Sequence, residues 1–236
     1  MNLWSFLQDP ASWVGPDGIG ARIVEHLVYT GLSLLIATAV SVVLGVIVGH
    51  FRAGNLLVVG TSNAARAIPT LGLVVLVVTL LGTGITPVVL ALTVLAIPPI
   101  LNATSTGVRE ADPGAVHAAR ALGMTTWQVI WRVELPLATP LIVSGIRSAT
   151  LQVVSTATVA ALAASGGLGR LVVDGQRLGA SGYPEMFAGA VLVAALAIVL
   201  DVALGSVVWG LRRRRSRIGR TAAELDSAPA AETTPA

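Results

Sequence analysis

The sequence predicts an all-α integral membrane protein of about five transmembrane helices, with its N-terminus outside and its C-terminus cytoplasmic. Three observations predict it. Only 11% of the 236 residues are charged, 54% are hydrophobic and the mean hydropathy is +0.82, whereas a soluble domain carries about 25% charge. Uncharged runs reach the roughly 20 residues that a spanning helix needs. All 15 basic residues are arginine, and six of them lie between Arg212 and Arg220, directly after an apolar segment. A basic cluster there anchors topology against anionic membrane lipid, so the high pI points to membrane lipid and to no nucleic acid.

Residues 1–22 hold Asp9, Pro10 and Asp17 among Trp4, Phe6 and Trp13. They lack the basic start and unbroken apolar stretch of a cleaved signal peptide. The aromatic side chains suit an extracytoplasmic segment at the interface. The membrane domain occupies 23–211. Its first span, Leu27 to Gly49, runs 23 residues without a charge and is closed by His50 and Arg52. Ala67 to Val108 is uncharged for 42 residues, which makes two crossings with a turn at Gly82-Thr83-Gly84 and Pro87. The first of these reaches back past Arg66, whose side chain snorkels. Pro98 and Pro99 predict a kink in the third span. Leu135 to Ala164 carries only Arg147. A helix of that length rises about 45 Å, too long for one hydrocarbon core and too short for two helices. One span extended beyond the membrane follows. Residues 165–185 read as a glycine-rich outer loop, and Met186 to Leu211 as the last span, with Asp201 its one charge. Residues 212–236 form a basic and disordered cytoplasmic tail.

Arginine placement orients the bundle. Arg212 to Arg215 and Arg217 put the C-terminus inside, and the same solution puts Arg52, Arg66, Arg109, Arg120 and Arg132 inside. The outer segments balance Arg22 against Asp9, Asp17 and Glu25, and Arg170 and Arg177 against Asp174 and Glu185. This is the positive-inside bias.

Composition also excludes chemistry. Without cysteine there are no disulfides or thiolate metal sites. Without lysine the chain lacks the residue that a phosphate-binding ATPase loop requires, so an ATP-driven role needs a separate motor. The three histidines have no metal-ligand spacing, and no nucleophile-base constellation appears. The chain is read as a non-enzyme with no cofactor and no metal. His26 and His50, at the ends of the first span, read as interfacial. Gly166, Gly167 and Gly169 follow no strand and read as part of a flexible outer loop. Asn63, Thr70 and Asn102 are either polar pathway residues or helix–helix hydrogen-bonding groups.

Residues 109–134 are too polar to cross a bilayer. Asp112 is a good N-cap and Pro113 a good first-turn residue. The helix then runs to Leu122, and Gly123 is placed to end it in a left-handed conformation. Thr125 and Gln128 have capping-box spacing for a second helix leading into the membrane. Trp127 and Trp131, four apart, lie together at the lipid interface. The first helix is read as exposing Ala115, Ala118, Ala119 and Leu122 on one face. On the residues alone, two readings stay open: a rigid helix docked in a partner's groove, and an amphipathic helix lying on lipid.

The passage His117-Ala118-Ala119, then Arg120-Ala121-Leu122, Gly123, nine residues and Val133-Glu134-Leu135-Pro136 resembles the EAA motif of ABC importer permeases, with every spacing kept. His117 stands where the motif has glutamate. Residues 66–72, 109–126, 132–149 and 155–169 are similar to permeases of the glycine betaine, carnitine and choline uptake group, and methionine-type permeases share topology and motif. The resemblance implies the type I importer permease fold, with a cytoplasmic coupling helix. ATPase coupling then falls to His117, Ala118, Ala119, Arg120, Gly123, Leu135 and Pro136. It implies as partners ABC ATPase subunits, a second permease subunit of the same or a similar kind, and an extracytoplasmic substrate-binding protein. His117 itself reads as a solvated helix histidine, and Gly166 to Gly169 as an outer gate or docking loop in the family-based alternative.

Arg147 and Asp201 are the only charges well inside their spans. Each lies about 16 Å from the inner boundary at 1.5 Å per residue. Charges at that depth are costly alone, so they pair or share a polar cavity, as bundle glue or as part of the pathway. A quaternary ammonium is usually held by an aromatic cage, and ten scattered aromatics give none. Selection therefore falls to the separate binding protein. The resulting expectation is a compatible-solute permease of the bacterial inner membrane. Methionine or another amino acid, or a non-transporting anchor subunit, stand as alternatives.

Overall fold

The computed structural model describes residues 3–52, 60, 69–163 and 166–226, with side chains in the last helix described to Leu211 and at Arg213. It is helical throughout, with no strand among the described residues. The helices are α1 (Leu3–Gln8), α2 (Ile19–Phe51), α3 (Thr70–Leu81), α4 (Ile85–Arg109), α5 (Pro113–Ala121), α6 (Thr126–Val129), α7 (Leu135–Ala160), α8 (Gly169–Arg177) and α9 (Tyr183–Asp226). A π-helical turn, Ile130–Glu134, joins α6 to α7.

Among the described residues, four helices are long and apolar enough to span a membrane: Ile19–Phe51, Ile85–Arg109, Thr126–Ala160 and Gly179–Leu211. The remaining expected span is represented by α3, whose 12 residues rise about 18 Å. Its expected beginning near Ala67, with Arg66 and Asn63, lies outside the described residues. Thr70 is the first residue of α3. Pro98 and Pro99 both sit inside α4.

The core forms where α2, α4 and α7 pack around Ala37, Leu92, Ile100, Ala149 and Val153, with Val74 of α3 joining them. Small residues set the crossing distances, as helices in lipid associate through close packing rather than through a hydrophobic difference. A Cβ on Gly45 would lie 2.6 Å from the Thr104 Cβ, and one on Gly145 would lie 2.4 Å from the Ala103 Cβ. Ser33 and Ser41 of α2 donate hydrogen bonds to the carbonyls of Val89 and Ile97 on α4.

Two expectations change at the end of the bundle where α2 begins. The helix starts eight residues before Leu27 and includes Arg22 and Glu25. Those charges are tolerated there because Arg22 pairs with both Asp17 and Glu25. The glycine-rich segment is no flexible loop: it contains α8 and a 3-10 turn, Gly179–Gly182. Leu171 and Leu168 are buried against Ile19, and Leu192, Val193 and Leu196 of α9 pack on them. A third change lies in the tail, where α9 continues to Asp226; residues 227–236 lie outside the described residues.

Candidate functional site

The polar passage folds almost entirely through local signals. The Asp112 carboxylate accepts the Gly114 N–H at 2.9 Å and caps α5, with Pro113 in the first turn. Gly123 ends the helix at φ +80°, and the Met124 N–H returns to the Ala119 carbonyl at 3.2 Å. Thr125 and Gln128 then form a reciprocal capping box: the Thr125 N–H donates to Gln128 Oε1 at 2.8 Å, and the Gln128 N–H to Thr125 Oγ1 at 3.4 Å. Trp127 and Trp131 meet edge-on with ring centroids 5.4 Å apart, both exposed. The π turn follows, with the Leu135 N–H bonding the Ile130 carbonyl. Pro136 has no N–H for the carbonyl four residues earlier, and the widened turn carries the chain past it into α7.

His117, Ala118, Arg120 and Gly123 are exposed at this end of the bundle, and Leu122 is 83% exposed. Ala119 is not: it is buried, because α5 rests on the π turn and on α6. The exposed face expected from helical spacing is therefore corrected. Ala118 and Leu122 face outward, Ala115 is half-buried, and Ala119 is an internal contact. Leu135 packs against Val108, Ala138 and Ile142, while Pro136 is exposed.

The contact that fixes this passage to the bundle joins residues 84 positions apart. His50 Nδ1 and Glu134 Oε2 lie 2.7 Å apart, with side chains only 7% and 6% exposed. The bond ties the last turn of α2 to the π turn. His50 is thus a buried partner rather than an interfacial residue. The available signal was Glu134 itself, an acid at the mouth of an apolar run. His26 is likewise corrected. It is fully buried, with Nε2 3.2 Å from the Val154 carbonyl and Nδ1 3.3 Å from the Leu168 N–H. Both bonds form together when Nε2 carries the proton and Nδ1 accepts.

Arg147 and Asp201 are brought together. Nε donates to Oδ1 and Nη2 to Oδ2, each at 2.6 Å, in a bidentate pair joining α7 to α9. Gly205 of α9 lies beside the guanidinium, where a Cβ would make ordinary van der Waals contact with it at 3.5 Å. Between α4 and α7 runs a groove of about 330 Å³ that includes Asn102, Thr106, Ser144 and Ser148 around Pro99 and Gly145. Of these, sequence reasoning named only Asn102 for a polar role. Asn102/Thr106 and Ser144/Ser148 are each four residues apart, so each pair falls on one helix face. That spacing was the missed signal. Among the described residues no group of acidic residues and histidines is placed to hold a metal ion.

Residues 41–215 match the family described as binding-protein-dependent transport system inner membrane component. The chain is 34% identical over 180 residues to the glycine betaine/carnitine/choline transport system permease protein OpuCB of Bacillus subtilis (strain 168), covering 76% of this chain and 82% of the relative. It is 32% identical over 202 residues to the carnitine transport permease protein OpuCB of Listeria monocytogenes, covering 85% and 91%. It is 34% identical over 182 residues to the osmoprotectant import permease protein OsmW of Salmonella typhimurium (strain LT2), covering 75% and 84%. Among solved structures, a chain of the MetNI methionine ABC transporter in inward-facing conformations aligns with a TM-score of 0.73 at 24% identity, over 86% of this chain and 99% of that one. At that identity the likeness is one of fold.

Proposed function

From a chain that belongs to the binding-protein-dependent transport system inner membrane component family, we propose the transmembrane permease subunit of an ATP-driven importer for a compatible solute of the glycine betaine, carnitine and choline class. The observation that carries the mechanism is the capped helix α5, presented at one end and resting on α6 and the π turn, which run without a break into the spanning helix α7. A push on α5 passes through its contact with the π turn to α7, and α7 forms one wall of the polar groove holding Ser144 and Ser148. Arginine placement puts this end in the cytoplasm and the N-terminal segment 1–22 outside. The ATPase is a separate subunit, in keeping with a chain that has no lysine. A second permease subunit completes the pathway, and an extracytoplasmic binding protein selects the solute, in keeping with few aromatics. Transport requires that ATP state and substrate favour the inward- and outward-open forms differently.

The test is reconstitution of the full chain with its ATPase and binding protein in proteoliposomes, followed by uptake of radiolabelled solutes. ATP-dependent accumulation of glycine betaine, carnitine or choline is expected, with at least a tenfold preference over methionine, about 1.4 kcal/mol of discrimination. Accumulation of methionine alone would overturn the substrate class. ATP turnover without accumulation of any solute would overturn the transport role.

A further inference from the structure

We propose that the arginine-rich end holds one phospholipid with an anionic headgroup, its phosphate in a basic cavity and an acyl chain in the apolar trough below. The cavity, about 330 Å³, opens between the ends of α2 and α4 and the helix α5. Its charged lining is Arg52, Arg109, Arg120, His117 and the His50–Glu134 pair. Glu134 is the sole acid, and it is already engaged by His50 at 2.7 Å. Among the described residues none of the three arginines has an ion-pair partner within 4 Å. Three guanidinium groups around one cavity match the acceptor oxygens of a phosphodiester, which arginine binds with directed, charge-assisted hydrogen bonds.

The second observation fixes the source of that phosphate. An apolar trough of about 170 Å³ runs between α2 and the α6–π segment, walled by Val42, Val43, Val46 and Ile47 on one side and by Trp127, Ile130, Trp131 and Leu135 on the other. Val46 and Ile47 lie one helical turn before His50 and Phe51, and Ile130 lies one turn before Glu134. The trough therefore adjoins the same two turns that wall the cavity, next to the His50–Glu134 pair. Val43 and Ile47 are 60% and 49% exposed, and the trough opens beside the exposed indoles, residues that settle at headgroup level. A free anion has no use for the trough, and a neutral lipid has none for the arginines. An anionic phospholipid uses both. The site stands apart from which solute is carried, and the proposed orientation decides only the leaflet.

Native mass spectrometry of the full chain in detergent, titrated with phosphatidylglycerol or with phosphatidylcholine of the same acyl chains, tests this. One phosphatidylglycerol per chain is expected, retained at least about tenfold better than phosphatidylcholine. Arg52→Gln with Arg109→Gln should remove that preference, and Arg52→Lys with Arg109→Lys should keep most of it. Ile47→Ser, on the exposed face, should lower retention of both lipids without changing any charge. Millimolar inorganic phosphate should not displace the lipid. Equal retention of the two lipids, a preference that survives the glutamine pair, unchanged retention in Ile47→Ser, or displacement by phosphate would each overturn the proposal. The last would make the cavity a free-anion site.

Discussion

At the end of the bundle where α2 begins, charged and polar groups find partners within the chain. Arg22 pairs with Asp17 and Glu25, Arg170 with Asp174 at 2.6 Å, and Glu25 also accepts the Gly167 N–H at 2.8 Å. At the end where α2 finishes, Arg52, Arg109 and Arg120 line a cavity, and Leu122 and the two indoles stand exposed. The first end closes on itself and holds the helices in register. The second is shaped by local caps and tied to the bundle by the His50–Glu134 bond, so it keeps its form while its arginines and exposed apolar side chains stay available to something else. Substitutions at the first end should therefore cost folding, and substitutions at the second should cost function while folding persists.

The largest effect is expected at the closed end. A Cβ on Gly169 would lie 2.1 Å from the Thr158 carbonyl oxygen and 2.8 Å from the Ala161 Cβ. Both neighbours belong to the C-terminal part of α7 and its cap, where backbone cannot yield. Overpacking of this kind costs about 1–3 kcal/mol and at times more. Gly169→Val should abolish the monodisperse peak in size-exclusion chromatography of the detergent-extracted chain. A wild-type profile would mean that this end is looser than its contacts imply.

The open end should answer in the other currency. Leu122 is 83% exposed, so Leu122→Asp should leave thermal stability within about 0.5 kcal/mol of wild type. The same variant should lower reconstituted uptake at least tenfold, the scale of a lost interface anchor of about 2 kcal/mol. A bulky substitution at Ala119 would test folding instead, because Ala119 is buried in the chain's own packing. Unimpaired uptake in Leu122→Asp would leave α5 as a helix lying on lipid.

The same contrast explains what the sequence disclosed. Asp112, Pro113, Gly123, Thr125 and Gln128 act within three residues of their partners, so their roles were legible as a linear pattern. His26 meets Leu168 across 142 positions, and His50 meets Glu134 across 84. No local pattern announces such a bond. The histidines consequently read as interfacial and the glycine segment as a loop. Arg147 and Asp201 are 54 positions apart and still announced one another, since a charge deep in a span demands compensation. Long-range partners are legible when their isolation would be costly and when the candidates are few.

The smallest effect should fall on the capping box, and it measures how local the open end is. Thr125 and Gln128 bond each other's backbone, with the Thr125 side chain in the longer bond at 3.4 Å. Loss of an N-cap side chain costs about 1 kcal/mol. Thr125→Ala should thus raise hydrogen exchange at the Gln128 amide about fivefold while amides at the centre of α7 remain protected. Gln128→Ala frees the Thr125 amide instead, and the two effects should not sum in the double variant, because each side chain positions the other. Were Thr125→Ala to increase exchange along α7 as well, the passage would be one cooperative unit with the spanning helix. The separation of a locally folded open end from a globally packed closed end would then have to be abandoned.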